Sequence, residues 1–119
     1  LAFAKSPVGM RMRNAFLNET LKREQPFVMS VPASEADPSY PEDETILVQG
    51  IIDAWFPEGD EIVLVDYKTD RVKRGQEQKL IDLYHVQLED YARALERMTG
   101  KRVKEKIIYS FTLQKEILL

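Results

Sequence analysis

Two apolar runs separated by a turn constrain this chain more than any other feature. "ILVQGIIDAWF" (46–56) is followed by "PEGD" (57–60) and then by "EIVLVDYK" (61–68). Proline, glycine and aspartate between two runs rich in β-branched and aromatic residues predict a β-hairpin. The first strand is almost continuously apolar, the pattern of a strand buried on both faces.

The returning strand raises a question of charge. "IVLVDYKTDRV" (62–72) sets four apolar residues directly before Asp66, Tyr67 and Lys68. Asp66 and Lys68 share a sheet face, because strand side chains alternate with period two. Burying charge is costly unless it is paired or bound to a metal. The strand therefore either dips its end into water as a salt bridge or forms a catalytic edge. Hairpin register separates the two. An even loop sets Asp53 opposite Leu64 and Ile51 opposite Asp66, with Asp53, Asp66 and Lys68 on one face. The two aspartates are then diagonal neighbours, about 7–8 Å apart along the backbone. An odd loop turns Asp53 to the other face. "PEGD" favours a loop of two or four residues, so convergence is expected.

Two converging carboxylates repel by several kcal/mol at low dielectric. Lys68 neutralises part of this, and a divalent cation neutralises more. Mg²⁺ takes oxygen ligands and keeps several waters beside one or two carboxylates. That leaves positions for a phosphate oxygen and an attacking water. Lys68 is placed to orient or deprotonate that water. The residue types and spacing suit phosphodiester hydrolysis.

Around the hairpin, "SPVGMRMRNAFLNETLKRE" (6–24) carries a Ser6 cap and Pro7 in the first turn, predicting a helix over 8–23. "QPFVMSVPA" (25–33) predicts a strand with Phe27, Met29 and Val31 on one side. Its two prolines suggest a place near a sheet edge. Residues 34–45 read as an acidic loop, long enough to lie over a functional surface. From 76 to 99 an apolar stripe of Leu80, Tyr84, Leu88, Tyr91, Leu95 and Met98 predicts a helix stopped by Gly100. "VKEKIIYSFTL" (103–113) and "KEILL" (115–119) predict two more strands. The order gives an α/β or α+β sandwich on a central sheet.

The chain has 119 residues and no cysteine, which allows one domain and excludes disulfides and thiolate metal sites. No apolar run is long enough to cross a bilayer, and a reducing, cytoplasmic setting fits. The net charge of −3 does not announce a nucleic-acid binder, although bases gather at 68–79 and 101–106 and a local basic rim remains open.

"GIID" (50–53), "VDYKTD" (65–70) and "YHVQLEDYA" (84–92), preceded by "REQPF" (23–27), together resemble the RecB-type nuclease domain of the PD-(D/E)xK superfamily. The likeness is in particular to the C-terminal nuclease domain of AddA helicase–nucleases, and it covers the chain from about residue 8 onward. It implies an α/β, restriction-endonuclease-like core, a central mixed sheet flanked by helices. It implies that residues 1–119 are a single, truncated nuclease domain, the C-terminal fragment of a larger helicase–nuclease. It makes Asp53 and Asp66 metal ligands, with the backbone carbonyl of Tyr67, and Lys68 the catalytic lysine. Glu24, expected at the end of the first helix, completes the acidic cluster. Gln87 and Tyr91, one helical turn apart, reach the active site or DNA. Arg71, Lys73 and Arg74 beside such a site would hold phosphates.

The implied activity is a Mg²⁺-dependent deoxyribonuclease, an exonuclease with Mn²⁺ as a substitute, acting in double-strand-break repair and recombination. A motor using ATP would deliver single-stranded DNA, an AddB-like subunit would be the partner, and no membrane is involved. Family members carry an upstream metal-binding histidine, whereas the one histidine here, His85, lies elsewhere. The alternative is a nuclease-like fold that binds DNA or docks protein without cutting.

Overall fold

The computed structural model describes residues 2–119. Two short helices, α1 (Ala2–Lys5) and α2 (Pro7–Leu17), lead into β1 (Lys22–Pro32). A 3-10 turn at Ala33–Glu35 and a loop carry the chain to β2 (Thr45–Glu58) and β3 (Glu61–Lys68). Helix α3 (Glu77–Thr99) then crosses over to β4 (Val103–Ser110) and β5 (Lys115–Leu118). The strands form one sheet in the order β1-β2-β3-β4-β5. Among the described residues only the β3–β4 pair is parallel. This is the expected α/β architecture, a central mixed sheet with helices on its faces.

Strand β3 organises the core. Ile62 and Leu64 point to α3, where they meet Leu80, Leu88 and Leu95. Val63 and Val65 point to the opposite face and pack with Val8 and Met12 of α2. Its apolar run is continuous because both faces are covered. The stripe expected on α3 is buried at Leu80, Leu88, Tyr91 and Leu95. Met98 departs from it, 48% exposed, because it stands at the lip of a cleft beside β1.

Three expectations need correction. The first helix stops at Leu17 rather than running to 23. Glu19 takes a left-handed φ of 60°, while the Thr20 N–H donates to the Ala15 carbonyl at 2.8 Å and the Glu19 N–H to the Phe16 carbonyl at 3.0 Å. These two bonds close the helix as a Schellman motif with glutamate where glycine usually stands. Second, β2 is not buried on both faces along its length. Leu47 is 73% and Ile51 59% exposed, because β3 pairs only with Ala54–Glu58 and the earlier half of β2 forms a ribbon with β1 alone. Phe27, Met29 and Val31 line the covered face of that ribbon, as expected.

Third, the hairpin register differs. Glu58 pairs with Glu61, leaving a two-residue loop, with Gly59 at φ +63° in its first position. Two-residue hairpins require positive φ there. The loop is even, as expected, but Pro57 and Glu58 pair within the ladder instead of belonging to the turn. Ala54 therefore faces Val65, so that Asp66, not Leu64, comes opposite Asp53.

Candidate active site

The β2–β3 ladder ends at the Ala54–Val65 pair. One residue further the Asp53 side chain takes over, Oδ2 accepting the Tyr67 backbone N–H at 2.8 Å. Side-chain alternation along β2 slips at the same point, since Ile52 and Trp55 both pack in the core under α3. Across on β1, pairing is interrupted between Arg23–Ala54 and Gln25–Ile52, and Glu24 in the gap has φ +50°. Asp53 thus emerges at a fork where β2 leaves β3.

Its neighbour across the fork is Asp66. That residue is only 3% exposed, and the Asp53 carboxyl lies near enough to raise its pKa. Burial, first, and the Asp53 carboxyl push Asp66 up to about 6, against the opposite pull of Lys68. The Lys68 ammonium lies 2.8 Å from Asp66 Oδ2. The contact is an ion pair by distance but is out of line for a hydrogen bond, so this buried oxygen has no aligned donor.

Helix α3 holds the lysine from the other side. Lys68 Nζ donates to Gln87 Oε1 at 3.0 Å and sits 3.9 Å over the Tyr84 ring. The Tyr84 hydroxyl in turn donates to Asp70 Oδ2 at 2.7 Å. This clamp of Tyr84 and Asp70 is not legible from the sequence, where Tyr84 reads as one more apolar position. Its place three residues before Gln87 and seven before Tyr91 is the available signal.

Tyr91 packs edge-to-face on Phe27 at 5.4 Å and is buried, with only 8% of its surface exposed. A Cβ on Gly50 would meet both rings at 3.1 Å, which explains the glycine of the "GIID" stretch. Glu24 lies on β1, not at a helix end, and shares a cleft wall with Asp53. Arg71, Lys73 and Arg74 stand exposed in the loop after β3, and His85 is exposed on α3. That loop is pinned where Thr112 Oγ1 donates to the Asp70 carbonyl at 2.7 Å.

Two carboxylates, one lacking an aligned donor, present hard oxygen atoms of the kind that Mg²⁺ prefers. Among the described residues no three side chains of His, Cys, Asp or Glu gather into a closed cage. The protein side therefore offers a partial coordination shell, which suits a metal that retains water and meets substrate oxygen.

The family model of the PD-(D/E)XK nuclease superfamily matches residues 5–117. The chain is 48% identical over 121 residues to component A of the ATP-dependent helicase/nuclease of Clostridium novyi (strain NT), covering 98% of this chain and 10% of that protein. It is 42% identical over 120 residues to the protein of the same name from Clostridium perfringens (strain 13 / Type A), covering 97% and 10%. Against that of Acetivibrio thermocellus the identity is 45% over 113 residues, covering 92% and 9%. The chain thus spans about a tenth of the length of these curated relatives.

Proposed function

The chain belongs to the PD-(D/E)XK nuclease superfamily, and from that premise we propose that it is a metal-dependent DNA nuclease domain with exonuclease activity. The observation that carries this reading is the apposition of Asp53, Asp66 and Lys68 at the fork between β2 and β3.

In this reading Asp53, Asp66 and the backbone carbonyl of Tyr67 hold Mg²⁺, with Mn²⁺ as a substitute. When bound, the ion polarises the phosphate and lowers the pKa of an adjacent water. Lys68 orients that water and accepts or balances its proton at Nζ. Gln87 fixes the direction of Nζ through its 3.0 Å hydrogen bond. Tyr91 supports the site, Glu24 adds negative charge at the entrance, and Arg71, Lys73 and Arg74 hold backbone phosphates.

Residues 1–119 would be the C-terminal nuclease domain of an AddA-like helicase–nuclease, acting with an AddB-like partner in the cytoplasm in double-strand-break repair and recombination. The motor would use ATP; this domain would not. No helix among the described residues is long and apolar enough to cross a membrane.

A second reading, a module that binds DNA or docks protein without cutting, draws on the incomplete cage among the described residues. Mg²⁺ and Mn²⁺ titration followed by thermal shift, with Asp66→Asn as control, separates the two. Stabilisation of the wild type alone, with cleavage of single-stranded DNA, supports the nuclease. No metal response in either protein overturns it.

A further inference from the structure

Beside Asp53, on the side of the sheet that carries α2, lies a cleft of about 400 Å³ walled by Phe3, Arg23, Glu24, Tyr67 and Phe111. A second cleft, of about 280 Å³, shares Phe3 and Arg23 with the first and continues along α2 past Arg13 to Phe16. The two form one groove that begins at the candidate active site.

The near end of the groove is aromatic. The Phe3 and Tyr67 rings lie 5.5 Å apart, Tyr67 and Phe111 5.8 Å, and Phe3 and Phe111 6.2 Å. Phe111 is 45% and Phe16 63% exposed. A single exposed apolar side chain needs no explanation, but these two mark the two ends of one groove. Between them stand the guanidinium groups of Arg23 and Arg13, which form no ion pair among the described residues. Arg11, on the same helix as Arg13, is by contrast tied to Glu58 and Glu105. Aromatic faces alternating with unpaired cations are what a single strand of nucleic acid requires: bases stack, and phosphates meet the cations.

We propose that this groove is the track for single-stranded DNA, with one base seated on Tyr67 and Phe111 next to Asp53 and the backbone passing Arg23 and Arg13 toward Phe16. The proposal rests on the nuclease reading above. Glu24 and Asp53 make the inner end negative, so the uncharged base, not a phosphate, occupies the aromatic walls there. A duplex keeps its bases stacked inside and presents none to such a cleft. Arg71, Lys73 and Arg74 line neither cleft, and their contribution is a general attraction for phosphate.

The test is fluorescence anisotropy in EDTA with labelled oligothymidylate, an abasic strand of the same length and a duplex of the same length. The wild type binds the oligothymidylate more tightly than either of the others. Phe111→Ala and Phe16→Ala each weaken that binding about five- to a hundred-fold and leave the abasic strand unaffected. Arg23→Ala weakens both single strands alike and lowers the salt slope by about 1. Phe16 and Arg23 are exposed, so their variants retain the fold even where Phe111→Ala loosens the aromatic cluster. Unchanged affinity in Phe16→Ala and Arg23→Ala, as when another protein segment covers the groove, overturns the track. So does a preference for duplex. A wild type that responds to metal and cleaves DNA while these variants bind normally removes the track and leaves the nuclease. Base-dependent binding without any metal response supports the track and removes the nuclease.

Discussion

The β2–β3 hairpin carries a charge cluster at each end, and the two are built in opposite ways. At the turn, Glu58 meets Arg11 at 2.7 Å and Lys104 at 3.1 Å, and Arg11 also meets Glu105 at 2.7 Å. Unlike charges alternate there, and the Arg11 hydrogen bond holds Glu58 down to about 2. At the open end two acids face each other, and burial lifts Asp66 to about 6. The first cluster works for the fold and the second against it. A buried acid kept at such a cost to stability is characteristic of functional sites.

The largest expected difference between the two ends is in cleavage. Asp66→Asn and Lys68→Ala each lower the rate on a single-stranded oligonucleotide with Mg²⁺ by about two to four orders of magnitude. Glu58→Gln leaves it within about twofold of wild type, because that cluster is remote from the reaction. Equal losses at both ends would show that the open end has no special part in cleavage.

Stability moves the other way. In EDTA at pH 7, Asp66→Asn raises the free energy of unfolding by up to about 3 kcal/mol, taking about 1.4 kcal/mol per pKa unit. The folded pKa of Asp66 is raised, so its ionisation opposes folding. That penalty is absent below its unfolded value of 3.8 and complete above about 6. Urea titrations of wild type and variant should therefore separate at pH 7 and converge near pH 4. Parallel curves at both pH values would show that Asp66 titrates normally.

Glu58 gives the mirror image at smaller size. Its folded pKa is lowered, so its contribution is present above the unfolded value of 4.5 and disappears as pH falls through about 2. With its side chain 31% exposed, solvent screens the pair. Glu58→Gln is expected to cost about 1 kcal/mol at pH 7, less at high salt. The smallest effect sharpens the active end. Tyr84→Phe keeps the ring under Lys68 but releases Asp70, and should lower kcat by about fivefold or less at unchanged KM. A fall in substrate affinity instead would place Tyr84 against DNA.

The two ends of the hairpin differ in how far the sequence discloses them. The apolar run of β3, its terminal Asp66 and Lys68, and the stripe and glycine stop of α3 follow from period and composition, because local pattern and tertiary burial agree there. The hairpin register does not follow. Pro57 and Glu58 have the composition of a turn but pair in the ladder, where Arg11 and Lys104 hold the Glu58 carboxylate. Glu24 falls on a strand rather than a helix end because Glu19 closes the preceding helix in a left-handed conformation that sequence patterns reserve for glycine or asparagine. The exposed face of β2 is hidden for a different reason. Apolar content records that a residue favours burial, not whether a neighbouring strand extends far enough to provide it.

The outer strand β1 holds Pro26 and Pro32, and the opposite edge, β5, is only four residues long. Val28, Leu47 and Ile51 make one face of the β1–β2 ribbon apolar and exposed. Such a ribbon would recruit strands from other chains if its rim offered a full row of N–H donors. Two prolines remove donors from that rim. The ribbon can thus keep an open greasy face without becoming a template for aggregation.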